Sequence, residues 1–184
     1  LLALKPEERA AAGLFLAFQY PQSVPGISVE HFLLTAYNAQ AAARKEKTLN
    51  VKEFHELVLK ALVSLELKPE FLERGLNDGF SGGEKKRLEV LQLKVLRPKL
   101  AILDETDSGL DVDALRLVAQ GVNQEVADHK LGVLVITHYQ RLLHELKPTH
   151  VHIMAEGKLI ASAGPELVEK VEQSGYQQFV TAHV

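Results

Sequence analysis

The chain has no cysteine among its 184 residues. That excludes a disulfide framework, a thiolate zinc site and a cysteine-ligated iron–sulfur cluster on this polypeptide. It has no surplus of basic residues either. Lys and Arg number 21 against 24 Asp and Glu, and with a pI near 6.3 there is no electrostatic footprint for nucleic acid. No apolar run approaches the roughly 18 residues that a spanning helix needs. The start, Leu1-Leu2-Ala3-Leu4-Lys5-Pro6, lacks the basic n-region and cleavage site of a signal peptide. It reads as the interior of a longer sequence, and a cytoplasmic protein is expected. No internal repeat or low-complexity tract is present. Also missing from these residues is any Gly-x-x-x-x-Gly-Lys-Ser/Thr loop for cradling phosphates.

What is present is ordinary in bulk: 46% hydrophobic and 24% charged, enough for one domain with a sizeable core. Pro6 to Ala12 suits a short helix, and Leu14 to Phe18 a buried strand, left at Gln19-Tyr20-Pro21. Pro21, Pro25 and Gly26 mark a loop. Apolar residues then recur at three- and four-residue steps, predicting helices over about Val29–Arg44 and Val51–Leu65. Beyond residue 80 the pattern changes to helix, buried strand (Leu100–Leu103), helix (about Val112–Ala127) and buried strand (Val133–Thr137). That alternation predicts a parallel sheet covered by helices. Val151–Ala155 and Lys158–Ala161 around Glu156-Gly157 read as a hairpin, and a last helix runs from about Pro165 to Ser174. The fold class expected is α/β with an all-helical subdomain over 22–97; residues 1–21 and 98–184 supply the rest.

Several residues could carry chemistry. Asp104 and Glu105 close a four-residue apolar strand, where open α/β sheets place ligands. A carboxylate there can hold Mg2+ through water, and its neighbour can orient or deprotonate an attacking water. The plainer alternative is a strand followed by an acidic turn. Ser81-Gly82-Gly83-Glu84 has the spacing of a capping box. A helix start with two glycines also presents backbone N–H groups to an anion. Asp111 is placed to cap the next helix. His138 follows a strand, where a donor can meet a γ-phosphate; a lone histidine is more often an ordinary polar residue. His150 and His152 share a strand face without a third ligand nearby, so a metal is not expected there. His129, His144 and His183 read as surface residues.

In order, these motifs resemble the ATP-binding-cassette (ABC) ATPases. Within that family they are similar to the soluble ATPases of the Suf iron–sulfur cluster assembly system, from the first residue almost to the last. The resemblance implies a partial P-loop NTPase fold, ATP and Mg2+ as cofactors, and SufB and SufD as scaffold partners. It also implies transient pairing of ATPase subunits, with no nucleic acid and no membrane insertion. It makes Gln19 the Q-loop glutamine near Mg2+ and Asp104 the Walker B aspartate. Glu105 becomes the general base, Asp111 part of the D-loop and His138 the switch histidine. Ser81, Gly82 and Gly83 become the signature that meets the other subunit's γ-phosphate. The family's P-loop is expected to precede Leu1, so these 184 residues alone are expected to be inactive. A transporter's nucleotide-binding subunit and a non-enzymatic partner-binding fragment remain alternatives. Whether Lys85 or Lys86 pairs with Glu105 is also open at this level.

Overall fold

The computed structural model describes residues 1–176, 178 and 179. It divides into two compact units, Leu1–Thr137 and His138–Val184.

In the first unit, helix α1 (Pro6–Ala12) ends at Gly13, whose φ of +100° favours glycine. The Gly13 carbonyl accepts from the amides of Lys99 and Leu100 at 2.8 and 3.1 Å. Those bonds start the pairing of β1 (Leu14–Ala17) with a strand that lies far along the chain. Strand β2 (Val24–Ser28) and helices α2 (Val29–Ala43) and α3 (Val51–Val63) follow. A 3-10 turn at Pro69–Glu73 leads to β3 (Gly75–Leu76). Helix α4 (Gly82–Leu96), strand β4 (Leu100–Asp104), helix α5 (Val112–His129) and strand β5 (Gly132–Ile136) complete it. The loop expected at Pro21, Pro25 and Gly26 therefore contains a strand, which pairs antiparallel with β3. Ser28, Asn50, Ser81 and Asp111 each cap a helix through the side chain.

The sheet is parallel, in the order β1-β4-β5. Ala17 pairs with Leu103, and Asp104 with Ile136, so the carboxyl ends of all three strands lie together. Its two faces differ. Ala17, Ala101 and Leu103 are buried, whereas Leu16, Leu100, Leu134 and Ile136 are between 37% and 49% exposed. The strands read from sequence as buried are thus covered mainly on one face. Continuous apolar runs encode a strand that both faces could cover, and they carry no record of which face is covered. The helical core is built from Leu33, Phe54, Val58, Leu62, Leu88 and Leu91, each essentially fully buried.

The second unit contains α6 (Gln140–Leu146), a helix absent from the sequence reading. The hairpin is β6 (Val151–Ala155) with β7 (Lys158–Ala163). Its turn residues Glu156 and Gly157 both have positive φ, as a tight two-residue hairpin requires. Helix α7 (Glu166–Ser174) contributes Leu167 and Val171 to a small core with Ile153.

Candidate active site

The strand ends of the first unit bring two of the expected residues into contact. Gln19 leaves β1 two residues past its end and donates its amide Nε2 to Glu105 Oε2. Glu105 itself turns out of β4 with φ +43°, a left-handed conformation that costs a non-glycine residue about 1–2 kcal/mol. Its amide is held by the Ile136 carbonyl at 2.8 Å, and its own carbonyl accepts from Ser108 at 3.1 Å. Strain of this kind is kept where surrounding bonds over-determine it. Asp104 lies one residue earlier, half-buried at the end of β4. Asp107, 5% exposed, accepts from the Thr137 hydroxyl at 2.7 Å. That bond ties the acidic turn to the end of β5. Asp111 caps α5 by accepting from the Ala114 amide at 2.8 Å.

Ser81 opens α4 with both halves of the capping box formed. Its hydroxyl accepts from the Glu84 amide at 3.2 Å, and Glu84 Oε2 accepts from the Ser81 amide at 2.8 Å. Hydrogen bonding to the Ser81 amide, reinforced by Arg74, holds the Glu84 carboxyl below its usual range. A methyl group on Gly82 would meet the Gly109 carbonyl at 3.7 Å, and one on Gly83 would meet Ala114 at 3.8 Å. These are ordinary contacts, and neither glycine has positive φ. Packing does not demand glycine at either place. The same distances set the Ser81–Gly83 turn beside the Gly109–Asp111 loop of the same chain.

Lys86 was not expected where it lies. It is 4% exposed, donates to the Phe18 carbonyl at 3.0 Å and pairs with Glu89 at 3.1 Å. Its ammonium therefore anchors the residue before Gln19. Burial pushes the Glu89 carboxyl up to about 7, against the opposing pull of Lys86. Glu89 also lines a cavity of about 420 Å³, together with Phe15, Phe18, Tyr20, Phe32 and Leu76. The Lys–Glu spacing of three along α4 was a visible signal for the pair; the reach to Phe18 had none.

His138 belongs to the second unit, where it is exposed and its ring lies 3.9 Å from that of Tyr139. His152 bonds Ser162 at 2.7 Å and His144 meets Glu172 at 2.6 Å. Among the described residues no three His, Cys, Asp or Glu side chains cluster for a metal. His129 approaches Glu125 at 3.8 Å, and His183 lies outside the described residues.

A scan of protein-family models matches nothing in the chain. Curated relatives do match. The probable ATP-dependent transporter slr0075 of Synechocystis sp. is 52% identical over 96% of this chain and 68% of its own length. The protein of Escherichia coli named probable ATP-dependent transporter SufC is 48% identical over 96% of this chain and 71% of its own length. The chain belongs to the SufC-type ABC ATPases. Solved cassettes agree with this family in fold. A nucleotide-free ATP-binding cassette of an ABC transporter superposes with a TM-score of 0.72 at 21% identity, covering 98% of this chain and 72% of its own. A dimeric cassette bound to ADP and Pi gives 0.70 at 16% identity, over 89% and 68%. The SufC-type family is thus joined to an ABC ATPase fold, and among the described residues no helix is long and apolar enough to cross a membrane.

Proposed function

We propose that this chain supplies most of a SufC-type ATPase subunit, which couples ATP binding and hydrolysis to shape change in SufB and SufD partners. The observation that carries the reading is the Gln19–Glu105 hydrogen bond at adjacent strand ends, one residue from Asp104. Glu105 orients and deprotonates the attacking water, and Gln19 holds its carboxylate until nucleotide arrives. Asp104 and the Gln19 amide oxygen are hard oxygen donors of the kind that would hold Mg2+. Bound there, Mg2+ would neutralise charge on the β- and γ-phosphates. Ser81, Gly82 and Gly83 present their helix start to the nucleotide of a second subunit, with Asp111 beside them at the subunit junction. His138 donates to the γ-phosphate. Tyr20, Val24 and Ile27, 71%, 37% and 38% exposed, form a partner-facing apolar edge.

The lysine-bearing loop that grips the β- and γ-phosphates is not among these residues. The 184-residue polypeptide is therefore expected to bind a fluorescent ATP analogue more weakly than micromolar, and tight binding would overturn that expectation. With a P-loop segment joined upstream, ATPase activity appears, and Glu105→Gln lowers turnover about 10²- to 10⁴-fold, the range of a lost general base. Undiminished turnover in that variant defeats the assignment of Glu105. The relatives' names also favour a transporter subunit as a second reading. Co-purification with membrane partners rather than SufB and SufD selects it.

A further inference from the structure

Arg74 sits between the 3-10 turn and β3, and its guanidinium faces the signature turn. Nη1 pairs with Glu84 Oε1 at 2.5 Å and Nη2 donates to the Gly79 carbonyl at 3.1 Å. The guanidinium carbon lies 4.2 Å from the centre of the Phe80 ring and 5.8 Å from that of Phe71. The two rings are themselves 4.6 Å apart. Glu84 passes the contact on, since its other oxygen accepts from the Ser81 amide at 2.8 Å. Both peptide groups flanking the buried Phe80 are thus held from one guanidinium, Gly79 directly and Ser81 through a carboxylate. At the other end, the Arg74 carbonyl accepts from the Val29 amide at 3.0 Å, which opens α2.

We propose that Arg74 is a positioning residue for the Ser81–Gly83 signature, fixing its turn before nucleotide arrives. The planar fork of arginine suits the task, because it bonds two acceptors in one plane while stacking on a ring. An ammonium has three donors but no planar fork, so it cannot hold both acceptors in one plane while stacking on the ring. A helix start that must meet a phosphate at the instant of dimer closure gains rate by being already ordered. The proposed composite site enters only in the effect on turnover; the ordering of the turn stands on the contacts above.

The test has two parts. In amide hydrogen exchange, Arg74→Ala should speed exchange at Ser81 and Glu84 about tenfold or more, with Arg74→Lys between it and wild type. The amides of Val58 and Leu62 in α3 should not change. Unchanged exchange at Ser81 and Glu84, or an equal rise in α3, overturns the proposal. In the chain carrying a P-loop, Arg74→Ala should lower kcat about tenfold while KM for ATP stays within about threefold. Mixed dimers then assign the site. With Arg74→Ala and Glu105→Gln on opposite chains one composite site stays intact, so about half the activity survives. With both on one chain, each site carries a lesion and activity falls to about a twentieth. The reverse pattern overturns the role of Arg74 in the signature. Ser81→Arg in the same two arrangements is the control. If that control lacks the asymmetry, the composite-site reading falls, and the exchange result still decides whether Arg74 orders the turn.

Discussion

Glu89 shows how far one carboxyl can be moved by its place. Burial raises it from an ordinary value of 4.5 to about 7, although Lys86 opposes the shift. The folded chain therefore holds this proton more tightly than the unfolded chain does. The contribution to stability is fullest below pH 4.5, declines as pH rises from 4.5 to 7, and is flat above. The decline amounts to roughly 3 kcal/mol. Denaturant titrations at pH 5 and pH 8 should show most of this loss in the native chain and not in Glu89→Gln; an equal pH dependence in the two proteins rejects it. Glu84 has the opposite sign, since its lowered value means stability lost only as pH falls below the usual carboxylate range. The local bonds of Ser81 and Asp111 were legible in the sequence because both partners lie within three residues. The Gln19–Glu105 bond spans 86 positions and the Lys86–Phe18 bond 68. Spacing rules hold no information at that range.

Between elements, α5 approaches α4 closely at a glycine. A methyl group on Gly121 would come within 2.4 Å of the Val90 side chain, and Val90 is 2% exposed. Helix propensity alone favours alanine there by about 1 kcal/mol, whereas overpacking a closed contact costs about 1–3 kcal/mol. Gly121→Ala should therefore lower the melting temperature, and Val90→Ala in the same chain should recover part of the loss. A melting temperature that rises in the single variant rules out this crossing as a close one. Long helices announced themselves through apolar stripes, as in α3, where Phe54, Val58 and Leu62 are all buried. The short pieces did not. Strand β2 is exposed along nearly its whole length and pairs with only two residues, so no alternation marks it. Helix α6 spans seven residues with one buried side chain, too few for a stripe.

For the whole chain, alternating helices and strands correctly signalled a parallel sheet, because each βα repeat writes its period directly into the sequence. Coverage of that sheet could not be read the same way. The face bearing Leu16, Leu100, Leu134 and Ile136 looks no different in sequence from the face that Ala17, Ala101 and Leu103 bury. The difference becomes visible in calorimetry. Heat capacity rises on unfolding in proportion to apolar surface newly wetted, usually about 12–15 cal/mol/K per residue. Side chains already wet in the folded state add nothing to that rise. The 184-residue chain should therefore unfold with a heat-capacity increment below the value its length implies, and with a correspondingly shallow denaturant slope. An increment at or above the length-scaled value would mean that the open sheet face is covered in solution. With the sheet face open, the lower increment also gives a flatter stability curve, so the chain loses less of its margin on cooling than a fully closed domain of the same size.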